Sequence, residues 1–128
     1  MISAPILLAV AAGGALGSVA RYLAGIGATK LFGLAFPWGT LLINVSGSFL
    51  IGAFVELFAL KWDLPQEARV FLTVGICGGF TTFSTFSLEA WLLMERGEWG
   101  YAAAYVAGSV VLSIAALILG LQLIRAAV

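Results

Sequence analysis

Apolar residues fill this chain in long blocks rather than alternating along it. Leu31–Val55 runs 25 residues without a charge, Val70–Leu88 runs 19 and Trp99–Ile124 runs 26, while the N-terminal block to Thr29 is interrupted only by Arg21. A helix that crosses the hydrocarbon of a bilayer needs about 20 apolar residues. The blocks therefore predict four transmembrane helices, near 4–27, 37–60, 69–94 and 100–124, forming a single four-helix domain over 1–128. The links Ala28–Phe36, Lys61–Ala68 and Glu95–Gly100 are too short to fold alone, and Pro37 suits a helix start. Ser18-Val19-Ala20 could pass for a cleavage site, but no positively charged segment precedes the apolar stretch. The N-terminal block is therefore read as the first span and not as a cleaved signal.

Within the spans, small and polar residues recur at steps of four. Span one carries Ala9, Gly13, Gly17, Arg21 and Gly25; span two carries Thr40, Asn44, Ser48 and Gly52; span four carries Tyr101, Tyr105, Ser109 and Ser113. Small residues at that spacing let helices approach closely. Arg21 either snorkels to the interface or lends positive potential to an aqueous vestibule. Asn44 either glues helices together or meets a solute, because a carboxamide in hydrocarbon must find partners. The hydroxyls of residues 105, 109 and 113 form a track about 12 Å long at 1.5 Å per residue. Each serine could instead bond its own i−4 carbonyl. Glu56 is read as interfacial, and Glu89, the one carboxylate well inside a span, as structural.

Span three holds the most distinctive pattern. Gly78-Gly79 weakens a helix in the middle of an apolar run. Thr81, Thr82, Ser84, Thr85 and Ser87 follow, with Phe80, Phe83 and Phe86 interleaved at steps of three. This predicts a broken helix. Carbonyls freed at bilayer depth survive only inside protein or along a cavity, and often bind a cation. Phe80 is assigned to packing, whereas Phe83 and Phe86 could present weakly positive ring edges to an anion.

Composition narrows the chemistry. The 128 residues are 62% hydrophobic and 9% charged, against about 25% charged in soluble domains, and the mean hydropathy is +1.13. A soluble globule and a disordered chain are both excluded. There is no histidine to act as base or ligand, and the one cysteine, Cys77, allows neither an internal disulfide nor a cysteine-rich metal site. No Ser or Cys nucleophile can be paired with a histidine, and no catalytic residue and no enzyme is expected. Six basic and six acidic residues leave no nucleic-acid footprint. Lys61, Arg69 and Arg125 fall on one side of the membrane and Arg21, Lys30 and Arg96 on the other. That tie gives the positive-inside rule nothing to act on, so both orientations are expected. Four helices enclose little space, so a solute path is expected between subunits of an antiparallel homodimer.

The run Gly78-Gly-Phe-Thr-Thr-Phe-Ser-Thr-Phe-Ser87, with Trp38-Gly-Thr40 and Asn44 before it and Gly17-Ser-Val-Ala-Arg21 in span one, resembles the Fluc (CrcB-type) fluoride ion channels. The resemblance covers essentially the whole chain. It implies an antiparallel homodimer in the cell (inner or plasma) membrane, with two pores at the subunit interface through which cytoplasmic fluoride leaves passively. It further implies a central structural sodium ion (Na+) held by the backbone carbonyls of Gly78 and Thr81 from both subunits. The fluoride path implied by the motif comprises Asn44, Phe83, Phe86, Thr85, Tyr105, Ser109 and Ser113, with Arg21 at the vestibule. The alternative is a small multidrug-type proton-coupled exporter, which shares the size and four spans. It would need a membrane-embedded carboxylate on the path, and span one has none.

Overall fold

The computed structural model describes residues 2–128, which among them form helices and no strand. α1 spans Ala4–Phe32 and α2 spans Trp38–Leu60. The third crossing, Gln66–Glu95, is composite. It opens with α3, Gln66–Val70, widens into a π-helical stretch, Phe71–Cys77, and closes its first half with α4, Gly78–Phe80. After a break at Thr81 and Thr82 it resumes as α5, Phe83–Glu95. α6 spans Trp99–Ala127. All four crossings are long and apolar enough to traverse a membrane.

The helix ends follow local chemistry. Ser3 caps α1 by accepting the Ile6 N–H on its hydroxyl at 3.4 Å. α1 runs on past the expected residue 27, carrying Lys30 inside the helix, and stops at Gly33, whose φ of +79° only glycine adopts readily. Pro37 precedes α2 as its cap residue rather than sitting in its first turn. Gly97, at φ +78°, makes the tight turn between α5 and α6. α6 extends past the expected residue 124 to Ala127, and this brings Arg125 opposite the end of α2. There Arg125 Nε donates to Glu56 Oε2 at 2.7 Å. Glu56, near the end of α2, is consequently buried, at 6% exposure, and paired.

Two helix pairs organise the packing. α2 lies along α6 through reciprocal glycine contacts: a Cβ on Gly52 would collide with the Leu117 carbonyl, and one on Gly120 with the Phe49 carbonyl. α1 lies along the π-helical stretch and α4 in the same way. Gly13 sits against Gly75, Gly17 against the Ile76 carbonyl, and Gly79 against Gly14. Missing side chains let these backbones approach closely in lipid, where dispersion replaces the hydrophobic effect as the main attraction. The small core lies between α2, α5 and α6 and contains Leu41, Phe86, Ala90, Leu93, Ala102 and Tyr105. Much of the remaining apolar surface faces outward, including Val111 at 64% exposure and Phe83 at 77%.

Candidate functional site: a cavity at the helix break

The break is extended backbone, with Thr81 at φ −84°, ψ 157° and Thr82 at φ −151°, ψ 120°. Several groups that a continuous helix would bond i→i+4 here find other partners. The Thr82 N–H, due to the Gly78 carbonyl, goes instead to Asn44 Oδ1 at 2.8 Å. The Thr85 N–H, due to the Thr81 carbonyl, goes to Thr82 Oγ1 at 3.2 Å and starts α5. The Gly79 carbonyl accepts from Arg21 Nε at 3.0 Å. Asn44 completes its hold by donating Nδ2–H to the Thr82 carbonyl at 3.0 Å. Its carboxamide thus brackets one residue of the break and keeps one N–H in reserve. Thr81 Oγ1 folds back on the Cys77 carbonyl at 2.9 Å.

A cavity of about 390 Å³ opens beside this break. It is lined by Gly78, Thr81 and Thr82 from the break, Asn44 and Ser48 from α2, Phe83 and Phe86 from α5, and Ser109 and Ser113 from α6. Ser109 is buried at 6% exposure and its hydroxyl has no hydrogen-bond partner. The bond to the i−4 carbonyl that a membrane serine can make is therefore not made. A buried hydroxyl without a partner costs about 1–3 kcal/mol, so its presence calls for an explanation. Phe83 and Phe86 are 5.3 Å apart between ring centroids.

A larger cavity, about 600 Å³, shares Thr82 in its lining with the first. Arg21, Lys30, Arg96, Thr85 and Glu89 are on its walls. Three cationic side chains against one carboxylate make it an electropositive antechamber.

The structure therefore gathers Asn44, Phe83, Phe86, Ser109 and Ser113 with the carbonyl-bearing residues Gly78 and Thr81. It sets Arg21 and Thr85 in the antechamber. Tyr105 stands apart from the two serines. It is fully buried, packs 5.1 Å from the Phe86 ring, and donates its hydroxyl to Glu89 Oε1 at 3.0 Å. Phe80 faces a third hollow between α1 and α2. The residue whose role the sequence left unassigned is Thr82. It stood in the hydroxyl-rich run, but nothing local marks it as the partner of Asn44, 38 positions away.

The carbonyls of Gly78 and Thr81 suit a hard cation, since neither receives its helical donor and both residues line the cavity. Among the described residues no group of three or more His, Cys, Asp or Glu could hold a metal.

Comparison with known proteins places the chain. The model of the CrcB-like protein family, Camphor Resistance (CrcB), matches residues 8–121. A Nitrobacter winogradskyi protein named fluoride-specific ion channel FluC is 69% identical, over 93% of this chain and 94% of its own. A Rhodospirillum centenum protein of the same name is 57% identical, over 95% and 97%. A family model spanning nearly all of four membrane-crossing helices leaves one conclusion: this chain is a multi-pass membrane protein and a member of the CrcB-like family.

Proposed function

We propose that the chain is a fluoride-selective channel, working as an antiparallel homodimer in which each subunit contributes one cavity at the break to one of two ion paths. The observation that carries this reading is the Ser109 hydroxyl, buried without a partner in a cavity walled by Asn44, Phe83 and Phe86. Fluoride is a compact anion that holds water tightly, so it needs close donors in place of that water. It also needs sites weak enough to let it leave. A free hydroxyl, the spare Asn44 N–H and phenylalanine edges provide such sites without a fixed positive charge. The relatives named fluoride-specific ion channels support the same reading.

Gly78 and Thr81 would hold a sodium ion through their carbonyls, two from each subunit. The ion would supply positive potential beside the anion path. The exporter alternative finds no support in the cavity, whose lining contains no carboxylate. Glu56 is paired with Arg125, and Glu89 faces the antechamber and accepts from Tyr105.

Vesicles reconstituted with the purified protein, loaded in turn with fluoride, chloride and a lipophilic cation, test the function. Fluoride should leave rapidly, chloride slowly, and the cation not at all against a proton gradient. Cation exchange driven by protons would replace this reading with the exporter. Vesicles prepared with N-methylglucamine in place of sodium should lose fluoride flux, and unchanged flux would remove sodium from the account.

A further inference from the structure

Arg21 does more than line the electropositive antechamber. Its Nε donates to the Gly79 carbonyl, 58 positions away in sequence, at 3.0 Å. In an unbroken helix that carbonyl would take the Phe83 N–H, but extended Thr81 and Thr82 carry Phe83 into α5. Arg21 supplies the donor that the break removes. It can reach because α1 is pressed onto the first half of the crossing: a Cβ on Gly17 would collide with the Ile76 carbonyl, and one on Gly79 would lie 2.6 Å from the Gly14 carbonyl. Gly13, Gly17 and Arg21, at steps of four, thus form one face that seats and then ties the segment ending at the break.

We infer that Arg21 is a positioning residue for the break, acting through its Nε–H and not through its charge. It fixes the Gly79 peptide, and with it the adjoining Gly78, Thr81 and Thr82 that line the cavity. Asn44 holds the same break from α2, so the two side chains clamp it from opposite neighbours. The inference deepens the channel reading and rests on it for its flux readout alone.

Three substitutions separate hydrogen bond from charge. In Arg21→Gln the amide nitrogen stands the same number of bonds from the backbone as Arg21 Nε, giving a donor at that place without charge. In Arg21→Lys the charge is kept, but a carbon stands there. Arg21→Met has neither. The readouts are amide hydrogen exchange over residues 78–85 of the assembled protein and fluoride flux from vesicles. Arg21→Gln should exchange within about twofold of the unsubstituted protein, whereas Arg21→Lys and Arg21→Met should exchange on the order of tenfold faster, as loss of a hydrogen bond to a half-buried carbonyl implies. Flux should follow the same order, with Gln above Lys. If exchange is unchanged in all three and Lys retains flux while Gln loses it, Arg21 acts by charge and the inference is overturned. Should Arg21→Met fail to assemble, the Gln and Lys pair still decides. If the unsubstituted protein carries no fluoride, the channel reading falls and the exchange comparison still judges Arg21.

Discussion

Ser109 sets two demands against each other. Its hydroxyl is buried at 6% exposure with no partner, an arrangement that lowers stability by about 1 kcal/mol or more. Ser109→Ala should therefore raise the stability of the assembled protein by about 1 kcal/mol while reducing fluoride flux. Thermal unfolding and vesicle flux measured on the same preparation check this. A serine that merely bonded its own helix would give the reverse, lower stability and intact flux. Asn44 illustrates a different balance. Sequence left it between helix glue and solute contact; in the structure it ties α2 to the break and has one N–H left over. That tie was not legible in the chain, because the partner, Thr82, comes from another crossing. Thr82 is exposed to Asn44 only because the helix breaks there.

At the scale of elements, the four crossings were legible from uncharged runs alone, since lipid requires unbroken apolar length. The break was legible from Gly78-Gly79 and the hydroxyl run. The π-helical stretch Phe71–Cys77 was not, because no local residue pattern distinguishes it from an α-helix of the same composition. The glycine stripe of α1 was legible as a stripe, but not where contact stops. A Cβ on Gly17 would meet the Ile76 carbonyl and the Phe80 N–H, whereas one on Gly25 would enter open space. Gly17→Val should destabilise the protein by about 1–3 kcal/mol by prising α1 from the half-helix. Gly25→Ala should change stability by less than about 1 kcal/mol. Denaturation in detergent compares the two, and equal effects would contradict the packing described here. Glu56 and Arg125 were hidden for a similar reason: their pairing depends on α6 continuing three residues past its expected end, 124, to Ala127.

At the scale of the whole molecule, one subunit leaves its cavity open and its Phe83 ring 77% exposed, a poor ending for an ion path and a good face for a second copy. The charges that flank the spans tie across the membrane, so the second copy is expected to be inverted. Lys30→Cys and Val128→Cys, each in a Cys77→Ala background, should be labelled by an impermeant thiol reagent from both sides of the membrane. Val128 serves better than Arg125, whose removal would strand the buried Glu56 carboxylate. Labelling of each position from a single side would rule out the inverted pair.

The central claim is that fluoride passes through the cavity at the break, and Phe83 tests it most directly. Its ring lines that cavity, yet at 77% exposure it contributes little packing within its own subunit. Phe86, at 8% exposure against Tyr105, would confound flux with folding, and Phe80 faces a different hollow. Isoleucine is apolar like phenylalanine but has no ring edge. Fluoride flux per assembled dimer should fall by about tenfold or more in Phe83→Ile, equivalent to ~1.4 kcal/mol in the barrier, and stay near its original value in Phe80→Ile. Flux per dimer that is unchanged in Phe83→Ile would contradict the account and send the path elsewhere.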